Sequence, residues 1–407
     1  MIAKIEESNL FGTAQFPASK SISHRLIIAA ALANGQSKIS GISKCDDVMA
    51  TITSLSMLGA KFSFEDDIVT ISGIDIKKAK ASVPLFVNES GSTLRFLIPL
   101  LYLTGEKTRF TGAKRLFERP LGIYKDIAKE QNLYFELNED YLDVNGVIRG
   151  GEYRLAGNVS SQFITGLLFA LPLIDEDSKI IIEPPFESRP YVDMTIDALS
   201  KFGVKVKFEN DNTIEIKGGQ KYQSTECNVE GDWSGGAFLL ALKMLHEGVD
   251  IDGYNNDSLQ GDRVAKEYFE KIQNSVPTLD ITDCPDLGPI LFAMAAYFNG
   301  ATFTGTRRLR IKESDRAEAM KIELAKFGAR VEIFDDSVKV SGGIHRPEEK
   351  LFGHNDHRIV MSLAVLASKL GGVIIGAEAI KKSYPEFFET TKGLGLKIDL
   401  LDGLNDT

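Results

Sequence analysis

One short pattern recurs along this 407-residue chain and limits its possible architectures more than any single motif does. Residues 58–73 read LGAKFSFEDDIVTISG, residues 202–219 read FGVKVKFENDNTIEIKGG, and residues 327–343 read FGARVEIFDDSVKVSGG. Each opens on a glycine (Gly59, Gly203 or Gly328), alternates apolar with polar residues, turns at acidic or Asn residues, and alternates again. A glycine just past a helix, followed by two runs of period two around a polar turn, predicts a helix C-terminus entering a β-hairpin. Weaker copies lie at 131–146 and 394–403. The spacing implies a structural unit of roughly 70 residues, found by the self-similarity that reveals any repeat.

A second element recurs between the hairpins. Six apolar segments each follow a small or polar start: SISHRLIIAAALANG, SGSTLRFLIPLLYLTG, SSQFITGLLFALPLI, WSGGAFLLALKML, PDLGPILFAMAAYFNG and DHRIVMSLAVLASKLGG. Apolar on nearly every side, they predict buried helices, some closed by glycines such as Gly35 and Gly300. A more amphipathic helix precedes each hairpin, most clearly RPYVDMTIDALSKFG and SDRAEAMKIELAKFG, the latter capped by Ser314 or Asp315. The unit is therefore strand, buried helix, strand, surface helix, hairpin. Six units divide as three plus three, which predicts an α/β protein of two similar domains. The fourth unit, between Trp233 and Asp286, is short and shows no clear hairpin. No GxGxxG follows a strand, so an ordinary dinucleotide-binding sheet is not indicated.

Composition removes several function classes. Hydrophobic residues at 43% and charged residues at 26% describe a globular chain, and a net charge of -10 argues against a nucleic-acid surface. Cys45, Cys227 and Cys284 lie too far apart for a CxxC pair or zinc spacing, and read as reduced thiols. The longest apolar runs, at 96–103 and 163–174, are too short to span a bilayer, and the first residues resemble no leader. A cytoplasmic protein with no membrane partner is expected.

Polar character concentrates where the buried helices begin. Lys20, Ser21 and Arg25 open the first; Gly91, Ser92, Thr93 and Arg95 the second; Ser160, Ser161 and Gln162 the third; His357 and Arg358 the sixth. A helix N-terminus presents unpaired N–H groups and a partial positive charge, which suits an anion. One serine there is ordinary capping, but cations one turn into apolar helices imply anionic partners. Lys312, Arg316, Arg119, Lys381 and Lys382 are further cations near helix starts or prolines, Lys381 reading as solvated. No phosphate-binding GxxxxGK[ST] loop exists, so the anions are read as substrate phosphates. Two carboxylates fall beside these cations: Asp286, otherwise a simple cap, and Glu313, otherwise a surface ion-pair partner. The run His354-Asn355-Asp356-His357 suggests a metal only weakly, since two histidines three apart lack a third ligand.

These motifs together resemble the phosphoshikimate carboxyvinyltransferase family of enolpyruvyl transferases. The resemblance rests on PASKSISHRLIIAAALANG, ESGSTLRFL, ERPLG, GNVSSQFITGLLFALP, SRPYVDMT, CPDLGPILFAMAA, LRIKESDR and NDHRIVMSLAVLA, in family order from residue 17 to residue 385. It implies an inside-out α/β barrel in each of two domains, each a three-fold repeat of a βαβαββ unit. The domains would be 1–17 plus 230–407 and an inserted 18–229, with the active site in the cleft they close. It further implies transfer of the enolpyruvyl group of phosphoenolpyruvate to the 5-hydroxyl of shikimate 3-phosphate, on the route to chorismate and aromatic amino acids. Shikimate 3-phosphate would be held by Lys20, Ser21, Arg25, Ser160, Ser161, Gln162, Ser188, Tyr191, Asp286 and Lys312. Phosphoenolpyruvate would be held by Lys20, Gly91, Arg119, Gln162, Arg316, Arg358 and Lys382. Asp286, Glu313, Lys20 and His357 would manage protons, with no metal or organic cofactor, in a monomer. Arg308 stands where the family often has Asn.

Two rivals are weaker. A UDP-N-acetylglucosamine enolpyruvyl transferase shares fold and chemistry, but Ser21 and Arg25 after Lys20 suit a phosphorylated acid, and the loop at Arg119 has no cysteine. A non-catalytic phosphosugar-binding protein would have no reason to combine Lys20, Asp286, Glu313 and Lys382.

Overall fold

In the computed structural model, which describes residues 1–402, each apolar segment forms a helix and each glycine-led pattern forms a hairpin. From Ala18 to Glu230 the helices are α1 (Lys20–Leu32), α2 (Asp46–Met57), α3 (Gly91–Leu101), the short α4 (Lys114–Glu118), α5 (Gly122–Glu130), α6 (Ser161–Ala170) and α7 (Arg189–Lys201). From Gly231 on they are α8 (Trp233–Leu245), α9 (Ala265–Asn274), α10 (Gly288–Tyr297), α11 (Arg316–Lys326), α12 (His357–Leu370) and α13 (Phe387–Gly393). The chain divides into two compact units: Ala18–Glu230, and Met1–Pro17 together with the chain from Gly231.

The recurrent glycines work as the pattern requires. Gly59, Gly203 and Gly328 have φ of 109°, 78° and 93°, values that L side chains rarely adopt. Each sits two residues past its helix. The amide of the next residue returns to the helix, Ala60 to the Leu55 carbonyl (3.0 Å), Val204 to Leu199 (3.0 Å) and Ala329 to Leu324 (3.1 Å). Those bonds, with Gly59 to Ser56, Gly203 to Ser200 and Gly328 to Ala325, satisfy otherwise orphaned carbonyls and reverse the chain into the hairpin. The weaker copies use the same turn, Leu133 bonding to Ala128 (2.7 Å) and Leu396 to Thr391 (3.0 Å). Helix α9 lacks it. Its cap, Ser275, is extended, and the chain proceeds to the strand Thr278–Asp280 of the next unit, so the fourth unit has no hairpin.

Every hairpin joins a four-stranded sheet of one design. A parallel pair flanks the buried helix, and the hairpin adds antiparallel to the second strand of that pair. In the Ala18–Glu230 unit, Gly151–Ala156 pairs parallel with Ser178–Glu183, which pairs antiparallel with Thr213–Ile216, itself antiparallel to Val206–Asn210. Two other sheets repeat this order, one borrowing Glu226–Asn228 from the far end of the unit to flank Gln36–Ser40. In the other unit the N-terminal strand Ile2–Ile5 lies between Gly372–Ile375 and Ile398–Leu401, so that hairpin is assembled from both chain ends. The hairpinless fourth unit leaves a two-stranded sheet of Phe11–Gln15 and Gly248–Asp252.

The helices read as buried are buried on nearly all sides. Residues 23–32 of α1, 93–101 of α3 and 288–296 of α10 are almost wholly inaccessible. Each unit has its own core: Phe96, Phe163 and Phe169 belong to one, Phe238, Phe292 and Phe387 to the other. Burial of such a side chain is worth about 1.5–3 kcal/mol. One local expectation needs correction, and one choice of cap is decided. Gly35 and Gly300 do not cap helices: Ala33 caps α1, and Gly300 opens the next strand. There its φ is 93° and a Cβ would lie 2.6 Å from the Val340 carbonyl oxygen. Asp315, not Ser314, caps α11, accepting from the Glu318 amide at 3.2 Å.

Gly59 isolates the backbone term, because an added Cβ would meet nothing closer than Ile74 at 3.7 Å. Gly59→Ala is expected to destabilise the protein by about 1–2 kcal/mol through the positive φ alone. Denaturant unfolding checks this, and an unchanged midpoint would show that the turn does not need glycine.

Candidate active site

In the Ala18–Glu230 unit the predicted residues gather at the N-termini of α1, α3, α6 and α7. Lys20 is the first residue of α1, Gly91 of α3 and Ser161 of α6; Ser160 caps α6 through its hydroxyl, and Ser188 immediately precedes α7. Arg25 is 3% exposed and lies one turn into α1. Its Nε donates to Thr195 Oγ1 (2.9 Å), and its terminal nitrogens to the carbonyls of Ser21 (2.7 Å) and Tyr191 (2.9 Å). It thus ties α1 to α7. All three partners are neutral, and burial pulls the Arg25 pKa down to about 10. Lys20 is ion-paired with Asp47 of α2 at 2.9 Å.

At α3, the absence of a side chain at Gly91 lets two guanidinium groups come close to the helix start. A Cβ there would lie 2.9 Å from Nη1 of Arg119 and 2.9 Å from Nη1 of Arg95. Arg95 donates to Gln162 Oε1 (2.7 Å) and to the Pro120 carbonyl (3.0 Å), while Gln162 Nε2 donates to Ser92 Oγ (3.0 Å). The Ser90 hydroxyl caps α3 by accepting from the Thr93 amide at 3.1 Å. Below these groups, His24 Nδ1 lies 2.8 Å from Thr51 Oγ1, which is 2.7 Å from Thr93 Oγ1. Burial, then Lys20 and Arg25, hold the His24 pKa well below its ordinary value, so the ring is neutral.

In the other unit the predicted residues gather at the starts of α10, α11 and α12. Asp286 lies in a 3-10 turn before α10 and does not cap it. Its Oδ1 accepts from Arg316 (2.8 Å) and Lys312 (3.2 Å), and its Oδ2 from Arg358 (2.9 Å). Glu313 is partly buried rather than on the surface, with Oε2 2.7 Å from Arg316 Nη2. Arg316, 1% exposed, also donates from Nε to Asp356 Oδ2 at 2.9 Å. Burial opposes its charge, but Asp356, Glu313 and Asp286 outweigh that effect and raise its pKa. Burial pulls the Lys312 ammonium down to about 8, with Asp286 acting against it. His357 and Arg358 open α12, and Lys382 donates to the Asn355 carbonyl at 2.6 Å. Arg308 is buried and donates to the Thr282 carbonyl at 2.5 Å. Lys381 is exposed, as the sequence suggests.

The two units carry different chemistry: in Ala18–Glu230, guanidinium and hydroxyl donors gather at helix starts, which suits anions, and in the other, carboxylates interleave with cations, which suits proton transfer. Sequence reasoning gave no role to Asp356, yet it caps α12 through the Arg358 amide (3.0 Å) and holds Arg316 and Ser314. Its place immediately before a buried helix was the available signal. Arg95 stood out as a cation but not as the partner of Gln162. Among the described residues, no group of three or more His, Cys, Asp or Glu side chains is placed to hold a metal ion, and no helix is long and apolar enough to cross a membrane.

Comparison with known proteins extends these observations. The family model of EPSP synthase (3-phosphoshikimate 1-carboxyvinyltransferase) matches residues 5–391. A 3-phosphoshikimate 1-carboxyvinyltransferase of Clostridium kluyveri is 42% identical, the match covering 97% of each chain. One of Clostridioides difficile is 38% identical over 97% of this chain and 98% of the relative. Among solved structures, an EPSP synthase from Acinetobacter baumannii superposes with a TM-score of 0.79 at 23% identity, covering 98% of this chain and 99% of its own. The enolpyruvyl transferase NikO from Streptomyces tendae gives 0.77 at 15% identity, covering 98% of each, so the fold persists where sequence has diverged. This chain belongs to the EPSP synthase (3-phosphoshikimate 1-carboxyvinyltransferase) family.

Proposed function

We propose that the protein transfers the enolpyruvyl group of phosphoenolpyruvate to the 5-hydroxyl of shikimate 3-phosphate, releasing inorganic phosphate. The observation that carries this reading is the Asp286 carboxylate gripped by Lys312, Arg316 and Arg358, with Glu313 on the same arginine, in a chain of this family. Arg25, Ser21, Ser160, Ser161, Gln162, Ser188 and Tyr191 are assigned to the phosphorylated acceptor, with Lys20, Asp286 and Lys312. Gly91, Arg119, Gln162, Arg316, Arg358, Lys382 and Lys20 are assigned to phosphoenolpyruvate. The protein would act as a cytoplasmic monomer.

The chemistry uses these groups as follows. The 5-hydroxyl oxygen bonds to C2 of phosphoenolpyruvate while C3 gains a proton, giving a tetrahedral adduct. Loss of a C3 proton and departure of phosphate from C2 then regenerate the enol ether. Two anions must approach each other, so cations on both offset their repulsion and fix the geometry. An incoming phosphate or carboxylate competes with Asp286 for Arg316, Arg358 and Lys312, which frees Asp286 to accept the hydroxyl proton. Glu313, Lys20 and His357 are the groups assigned to the C3 protons.

Phosphate release by purified protein with phosphoenolpyruvate tests the reading. Release with shikimate 3-phosphate and not with UDP-N-acetylglucosamine is expected; the reverse selectivity, or no release from folded protein, would overturn it. Lys312 adds a pH signature. Folding lowers its pKa to about 8, so the free protein loses that proton as pH rises, whereas an anion must be met by the charged form. Thus kcat/KM for the acceptor should be full below about 8 and fall above it, and Lys312→Arg should move that limb upward. A profile flat through pH 9.5 in the wild type would remove Lys312 from the binding set.

A further inference from the structure

The His354-Asn355 segment, left over from a weak metal reading, has a clear partner in the structure. His354 Nε2 lies 2.8 Å from Oε1 of Glu323, a carboxylate on α11 with no solvent exposure. The other oxygen of Glu323 accepts from Lys326 Nζ (2.8 Å) and from the Phe352 amide (2.9 Å). These hydrogen bonds and Lys326 hold its pKa down against burial, so it is an anion. The segment it grips is unusual. His354 and Asn355 are consecutive non-glycine residues at φ of 50° and 52°, a conformation that persists only when its surroundings impose it. Lys382 Nζ also donates to the Asn355 carbonyl. The next residues are Asp356, which orients Arg316, and Arg358, which reaches Asp286.

We propose that Glu323 and His354 form a latch that sets the left-handed turn at 354–355, and so keeps Asp356 on Arg316 and directs Arg358 and Lys382 toward phosphoenolpyruvate. They are positioning residues, and the inference rests on the substrate assignment above. The chemistry of the latch demands a carboxylate. Three donors converge on two oxygens, so Glu323→Gln sets an amide N–H against one of them. His354→Ala deletes one donor at a half-buried position, where folding is least threatened, whereas His354→Gln keeps an N–H at similar reach.

Steady-state kinetics, calorimetric binding of shikimate 3-phosphate and amide hydrogen exchange test the latch in the full-length protein. Glu323→Gln and His354→Ala should raise KM for phosphoenolpyruvate about tenfold, the scale of a small misplacement of binding groups. Shikimate 3-phosphate affinity should stay within about twofold, and His354→Gln should recover most of the loss. Exchange at 352–358 should accelerate in both damaging variants while the interior of α11 is unaffected. Equal weakening of both substrates, or faster exchange with unchanged KM, would refute the positioning role. Unaltered exchange would refute the latch whatever the substrates are, whereas a wild-type protein silent toward this substrate pair refutes the substrate assignment alone.

Discussion

A guanidinium buried at the start of an apolar helix must be satisfied, and that requirement organises both halves of this protein. Arg25, Arg316 and Arg358 are 3%, 1% and 4% exposed, so each has lost most of the hydration that a charge ordinarily commands. The two units answer differently. Around Arg25 the partners are a hydroxyl and two carbonyls; around Arg316 and Arg358 they are Asp286, Glu313 and Asp356. Hydrogen bonds hold the guanidinium in both, but charge is balanced only in the second.

That difference divides the chemistry. In the Ala18–Glu230 unit, Arg25 and Arg95 lie one turn into helices whose starts add partial positive charge, the Arg119 guanidinium approaches the start of α3, and Asp47 is engaged with Lys20. Such a surface gains most from ligands that bring negative charge, which fits the phosphorylated acceptor proposed for Arg25 and the phosphoenolpyruvate proposed for Arg119. In the other unit, carboxylates alternate with cations, so an arriving anion must exchange partners with Asp286. Binding of the anion and release of Asp286 from its cations are then one event. The Glu323–His354 latch fixes the turn on which that exchange depends.

Much of this was legible in sequence because its causes are local. A glycine two residues beyond a helix, followed by alternation, specifies a reversing turn and a hairpin wherever it occurs, and the structure repeats that turn at Gly59, Gly203 and Gly328. Its absence after α9 likewise foretold a unit without a hairpin. What stayed hidden depends on distant contacts. Nothing near Glu323 in the chain announces His354, 31 residues away. Nothing near Arg95 announces Gln162, 67 residues on. Asp286 stood out as a carboxylate, but only the fold shows it meeting Arg316 and Arg358, 30 and 72 residues on. Borrowed strands were equally invisible: only the fold shows Glu226–Asn228 beside Gln36–Ser40, or Ile2–Ile5 beside Ile398–Leu401.

The central claim is that a buried arginine with only neutral partners is reserved for the acceptor's negative charge. Calorimetric titration of shikimate 3-phosphate alone into the wild-type protein and into Arg25→Ala tests it most directly. The account predicts one site per chain and a loss of about 2 to 4 kcal/mol of binding free energy in the variant, as for removal of a charge-assisted donor from an anion. Equal affinity in both proteins, with the variant folded, would show that Arg25 serves only to tie α1 to α7.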